Sequence, residues 1–185
     1  MSDFDIRHNF VFNAIWQVPG PRDPGGLSWF ATGWQVGGIC QVSSGLPFTP
    51  IIGGDPLGLK TSNPFAFPDR ISGQGCDSAV NPGDPVHYIK TQCFAFPTPA
   101  TRIGDAGRNS LIGPGVSNFD LSLFKNNYVK SISEKFNIQF RAEFFNILNH
   151  TNFHNPDSDM NSQTFNHILE AQPPRLIQFA LKLTF

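Results

Sequence analysis

Five stretches of the chain alternate apolar and polar side chains with a period of two, and each predicts a strand with one oily side. At the C-terminal end Phe185, Leu183, Leu181, Phe179 and Ile177 share one face, against Thr184, Lys182, Ala180, Gln178 and Leu176 on the other. The clearest stretch is 134–147. There Phe136, Ile138, Phe140, Ala142 and Phe144 oppose Asn137, Gln139, Arg141, Glu143 and Phe145, so charge stays off the apolar side. Before it, Phe119, Leu121 and Leu123 alternate with Asp120, Ser122 and Phe124 over 117–125. Nearer the start, 4–18 sets Ile6, His8, Phe10, Phe12, Ala14, Trp16 and Val18 against Arg7, Asn9, Val11, Asn13, Ile15 and Gln17. The stretch 29–43 sets Trp34, Val36, Gly38, Cys40 and Val42 against Gln35, Gly37, Ile39 and Gln41. Strands are therefore expected at roughly 4–18, 29–43, 117–125, 134–147 and 175–185.

The connections differ in length. Pro19 to Ser28 is dense in turn formers, and Lys125 to Ser133 reads as a short polar turn. By contrast 44–116 and 148–174 are long, irregular and punctuated by Pro, Gly, Asn and Asp. A structureless loop of that size counts against a compact soluble domain. Short and long connections alternate, as in an up-and-down barrel with tight turns at one end and long outer loops at the other. Strands of about ten residues with one apolar and one polar face suit a barrel wall, with lipid on one side and an aqueous lumen on the other.

The sequence thus reads as all-β: an antiparallel up-and-down meander of about five long strands, with 1–185 an open part of a large transmembrane β-barrel. On this reading Asp120, Gln139, Arg141, Glu143, Gln178 and Lys182 face the lumen. Phe136, Ile138, Phe140, Phe144, Phe179, Leu181 and Leu183 face lipid. Aligning neighbouring strands about their short turn puts Asp120 diagonal to Arg141, with Glu143 further along the same face, which predicts a polar network.

Composition adds limits. A net charge of -1 shows no basic excess and argues against a nucleic-acid partner. Nineteen Phe, with 17 Gly and 16 Pro, describe strands and loops rather than a helical bundle. No apolar run is long enough for a spanning helix, which leaves barrel strands untouched. Residues 1–7 lack a basic segment followed by an apolar one, so no secretory signal is read there, and an exported chain of this kind is expected to be a piece of a longer protein.

Candidate chemistry is sparse. Cys76 and Cys93 lie in the long loop and are expected to pair in an oxidising compartment. Two unrelated thiols, or a zinc site shared with His87, are the alternatives, although the spacing matches no compact zinc pattern. Cys40 is left over on an oily face. His150, His154, Asp157, Asp159 and His167 share one polar loop and could capture a metal, but loops of this composition are ordinarily just solvated. No metal site and no cofactor are expected. Neither G-x-S-x-G nor a P-loop occurs, and no enzyme is read.

Three runs resemble a known family. GRNSLIGPGVSNFDLSLFKN (Gly107 to Asn126), FNIQFRAEFFNILNHTNF (Phe136 to Phe153) and PRLIQFALKLTF (Pro174 to Phe185) are similar to the C-terminal end of TonB-dependent receptors, in particular the Oar-like group. SDFDIRHNFVFN (Ser2 to Asn13) and SSGLPFTP (Ser43 to Pro50) resemble preceding strands of the same barrels. The resemblance implies a C-terminal segment of a transporter in the cell outer membrane of a Gram-negative bacterium. Its parent would import a scarce ligand such as a metal chelate, vitamin or glycan. Implied partners are outer-membrane lipid, the remaining barrel strands, a plug domain, the TonB complex and the barrel-assembly machinery, for which Phe185 would be the signal. A soluble or surface-exposed β-module that binds a ligand or glycan is the alternative.

Overall fold

The computed structural model describes residues 2–20, 28–58, 60, 65–73, 75–100, 102–129, 131, 133 and 135–185. Among them the strands are β1 (Asn9–Gln17), β2 (Trp34–Ser43), β3 (Pro47–Phe48), β4 (Ile52–Gly53), β5 (Phe65–Ala66), β6 (Asp69–Arg70), β7 (Phe94–Ala95), β8 (Leu111–Ile112), β9 (Val116–Tyr128), β10 (Asn137–Phe145) and β11 (Leu176–Thr184). One helical turn, α1 (Ser28–Ala31), precedes β2, and a 3-10 turn spans Thr91–Cys93. The fold is all-β, and the chain divides into two units.

One unit comprises Asn9–Val42, Ser117–Thr151 and Pro173–Phe185. Its five long strands form a meander in the order β1-β2-β9-β10-β11, with β1 and β11 at the two edges. Pairing of β10 with both neighbours is antiparallel, with Phe140 opposite Leu181 on one side and Lys125 on the other. The strands fall where the alternation put them, with shifted ends, except that residues 4–8, expected in the first strand, fall in the other unit and β1 begins at Asn9. Trp29 to Ala31, expected as strand, form the helical turn, and the indole Nε1 of Trp34 donates to the Phe30 carbonyl at 2.7 Å. Gly33 then turns the chain at φ 78°, where a Cβ would collide with the Asn126 carbonyl. Only glycine meets both demands.

The connection from β9 to β10 lies further along the chain than the sequence suggests, at 129–136 and not 126–133. β9 runs on to Tyr128 because Asn127 and Tyr128 still pair with Ile138 and Asn137, and the Val129 amide donates to the Phe136 carbonyl at 3.0 Å. Expected turn residues 21–27, 130 and 132, and the expected strand start at 134, lie outside the described residues.

The other unit comprises Met1–His8, Ser43–Val116 and Asn152–Gln172. The sequence reading took 44–116 and 148–174 as two separate irregular loops, but most of both belongs to this one compact unit. Its core is Phe48, Cys76, Ala79, Tyr88, Ile89, Cys93, Phe94, Ala106 and Leu111, with Val80, Met160, Phe165 and Ile168 packed against it. Three two-residue ladders, β3 with β8, β4 with β5 and β6 with β7, give it local order. Proline and glycine stop each ladder almost at once, which is why no periodicity announces them.

Polar groups carry much of this unit. The Asp159 carboxylate accepts from the amides of Gly53 (2.7 Å) and Asn161 (2.9 Å), and Asn161 Nδ2 donates back to the Gly53 carbonyl at 2.8 Å. Arg70 holds the disulfide region. Its guanidinium lies over the Phe94 ring at 5.1 Å and donates to the carbonyls of Cys93 (3.1 Å) and Cys76. The Tyr88 hydroxyl donates to the Ile112 carbonyl at 3.1 Å, and burial pushes its pKa up to about 12, so it stays a neutral donor.

Candidate functional site: a two-faced sheet

Residues opposite one another in an antiparallel pair project to the same side, so the registers sort every side chain of β9, β10 and β11. On one side Ile138, Phe140, Ala142 and Phe144 meet Leu183, Leu181, Phe179 and Ile177. Phe140 stacks on Phe179 with centroids 6.1 Å apart, and Phe136 lies against Phe185 at 5.7 Å. This side is not a closed core: Phe179 is 66% exposed, Leu181 65% and Phe185 86%. A contiguous apolar surface of that kind marks contact with a partner or a membrane.

The other side is polar. Gln139 lies opposite Lys182, and Glu143 opposite Gln178. A relay of side chains runs along it: Arg141 Nε donates to Gln139 Oε1 at 2.6 Å, and Gln139 Nε2 and Asn137 Nδ2 both donate to Asn126 Oδ1, at 2.8 and 3.1 Å. The expected diagonal between Asp120 and Arg141 is not formed. Because β9 extends to Tyr128, Arg141 faces Phe124, over whose ring its guanidinium sits at 5.2 Å. Asp120 instead accepts from Asn118 Nδ2 at 2.9 Å and from the Asn146 amide at 2.8 Å. The register differs from the assumed one by an even number of residues, so both side chains keep their face.

Lys125 is the residue that sequence reasoning missed. It continues the alternation Phe119, Leu121, Leu123 and so falls on the apolar side, opposite Phe140. It is only 6% exposed, and its ammonium donates to the carbonyls of Trp29 (2.8 Å) and Thr32 (2.6 Å) and to Asn127 Oδ1 (2.6 Å). The rings of Trp29 and Trp34 lie 5.6 and 5.9 Å away. Three acceptors match the three ammonium protons, which makes a charge tolerable on this face. Reading the period two residues further would have found it.

Cys76 and Cys93 are joined in a disulfide, and Cys40 is a free thiol. The His150–His167 stretch does not converge on one point. Asp157 and Asp159 are taken up by the amides of Asp159 and Gly53 and the Thr164 hydroxyl, and His150 belongs to the sheet unit. Among the described residues no group of three or more His, Cys, Asp and Glu side chains is placed to hold a metal.

Antiparallel strands of 9 to 13 residues, one side apolar and exposed, the other polar and hydrogen-bonded, make a wall suited to crossing a bilayer. A model of the outer membrane beta barrel domain matches residues 1–178, and the chain belongs to that family. No curated protein and no solved structure matches it significantly. Family membership makes the sheet a wall segment of a barrel in the outer membrane of a Gram-negative bacterium, in contact with membrane lipid.

Proposed function

We propose that the chain forms part of the wall of a TonB-dependent transporter of the Oar-like group, which takes up a scarce ligand such as a metal chelate, vitamin or glycan. The observation that carries this reading is the open two-faced sheet. Among the described residues no further strand pairs with its edges β1 and β11, and in lipid each unpaired backbone group costs several kcal/mol, so neighbouring strands must complete the wall. Ile138, Phe140, Phe144, Phe179, Leu181 and Leu183 then face lipid, and Gln139, Arg141, Glu143, Gln178 and Lys182 face the lumen. The similarity of 107–126, 136–153 and 174–185 to TonB-dependent receptors supports the transport assignment, the plug and TonB complex as partners, and recognition of Phe185 by the assembly machinery.

The test is uptake in the native host. Deleting the gene should abolish growth on, or accumulation of, at least one limiting iron chelate, cobalamin or glycan, and deleting TonB should reproduce the defect. Undiminished uptake of all three ligand classes in the gene deletion would overturn the assignment. Removing Phe185 should lower the amount of heat-modifiable barrel in the outer membrane, and an unchanged amount would overturn its signalling role.

A further inference from the structure

Outside the wall, the compact unit brings together two histidines far apart in sequence. The Tyr88 amide donates to the Asn166 carbonyl at 3.1 Å, and the Ile168 amide donates to the Pro85 carbonyl at 2.8 Å. These bonds lay two short segments side by side, with His87 opposite His167 and their ring centroids 6.2 Å apart.

Both backbones are pinned from the outer side as well. Asn81 Nδ2 donates to the His87 carbonyl at 2.9 Å, the His167 amide donates to the Thr164 carbonyl at 3.0 Å, and the His167 carbonyl accepts from the Asp157 amide at 2.9 Å. His167 is half-buried, and the His87 side chain is 67% exposed. Asp84 sets its chemistry. One carboxylate oxygen accepts from the amides of Val86 and His87, both at 3.0 Å, and the other meets His87 Nδ1 at 3.2 Å. A carboxylate only accepts, so Nδ1 is the donor in this contact, and in the neutral ring the lone pair lies on Nε2. That is how a carboxylate orients a metal-ligating histidine.

We propose that His87 and His167 form an open two-imidazole site for a divalent transition metal, with Asp84 as the residue that orients His87. Two imidazoles with centroids 6.2 Å apart can hold one ion about 2.0–2.1 Å from a nitrogen of each once their side chains turn toward it. Two protein ligands leave the remaining positions to water or to donors carried in by a chelating molecule. Imidazole donors select Cu(II), Ni(II) or Zn(II) over Mg(II) and Ca(II), and Cu(II) binds tightest of the series. A bound ion would also clamp the 85–88 segment to 166–168.

The test uses the full, untagged chain in detergent with its disulfide oxidised, titrated with Cu(II) alone and followed by calorimetry and by electron paramagnetic resonance. One ion with two imidazole nitrogens is expected. His87→Ala and His167→Ala should each weaken binding at least about 10-fold and reduce the nitrogen count to one, and Asp84→Asn should weaken it about 10-fold. The double variant His150→Ala/His154→Ala should leave affinity and spectrum unchanged, and Zn(II) at equal concentration should leave the copper spectrum in place. Wild-type affinity in either single variant, or a two-nitrogen spectrum that survives His87→Ala, would overturn the site. Mg(II) competing at equal concentration would overturn the imidazole assignment.

Discussion

The sheet unit and the loop unit solve the burial problem in opposite ways. In the sheet, the large apolar side chains of β11 are exposed, and among the described residues it buries only Gly37, Lys125, Ala142 and Asn146. In the loop unit a modest set of apolar residues, Tyr88, Ile89, Phe94 and Leu111 among them, is buried completely or nearly so. It is closed by a disulfide and by side-chain hydrogen bonds to backbone. The loop unit carries its own core. The sheet gains its hydrophobic stabilisation only when lipid and neighbouring strands cover it, because exposed apolar surface contributes nothing in water.

The sharpest way to break this comparison is a charge at the middle of the apolar side. Phe140→Arg should cost roughly 2 to 4 kcal/mol in a membrane, read as lost urea-resistant protein in the outer-membrane fraction, while Gln139→Arg should be mild. Ile138 is a poorer choice, since it lies one residue from the turn end of β10, where such a charge costs about 0–1 kcal/mol. Cysteine at Phe140 should react in membranes with a lipid-soluble thiol probe and not with an impermeant one, and the reverse should hold at Gln139. Protection of Phe140 from both probes would mean a dry protein core.

Next in size is the disulfide. It closes a loop of sequence separation 17, so Cys76→Ser/Cys93→Ser should remove about 3 kcal/mol. Hydrogen exchange should then rise across 43–116 and 152–172 and leave β9 and β10 unchanged. A uniform rise through the strands would show that the two units are not separately stabilised.

Tyr88→Phe should be smaller, about 1 kcal/mol, because it deletes one neutral hydrogen bond to the Ile112 carbonyl while keeping the ring in the core. Thermal unfolding of the disulfide-bonded unit measures it.

The smallest effect is a pH dependence confined to the loop unit. Burial raises the pKa of Asp157, but hydrogen bonds from Ser162, Thr164 (2.7 Å) and the Asp159 amide (3.1 Å), with the charge of His167, hold it below its ordinary 3.8. A carboxyl depressed by folding contributes stability above its unfolded pKa and loses it as pH falls through the folded value. Exchange protection of 152–172 should therefore fall as the medium is acidified below about pH 3.8. Asp157→Asn should flatten that fall, and an identical acid profile in the variant would remove Asp157 from the account.

How much of this was legible beforehand depended on whether a pattern is local. Strand period is local: Phe136, Ile138, Phe140 and Phe144 declare one side of β10 whatever lies beside it, and so the five long strands, their order and their two faces follow from the alternation. Lys125 was legible by the same rule and was missed because the polar run Lys125 to Ser133 was read as a turn. Register is not local. The tight turn closed by Val129 and Phe136 set Arg141 against Phe124 and sent Asp120 to Asn146, and no count of residues along one strand could give that.

The loop unit was the least legible part, since its order comes from contacts between distant segments: Gly53 with Asp159, Arg70 with the Cys76 and Cys93 carbonyls, His87 with His167. Two-residue ladders leave no period to read. By itself the sequence determined the strands and which side of each is apolar, because that depends on the alternation of side chains along an extended backbone. Only the tertiary structure decided the register of β9 against β10 and the joining of two long loops into one core, because both depend on which distant groups can satisfy one another's hydrogen bonds and bury one another's surface.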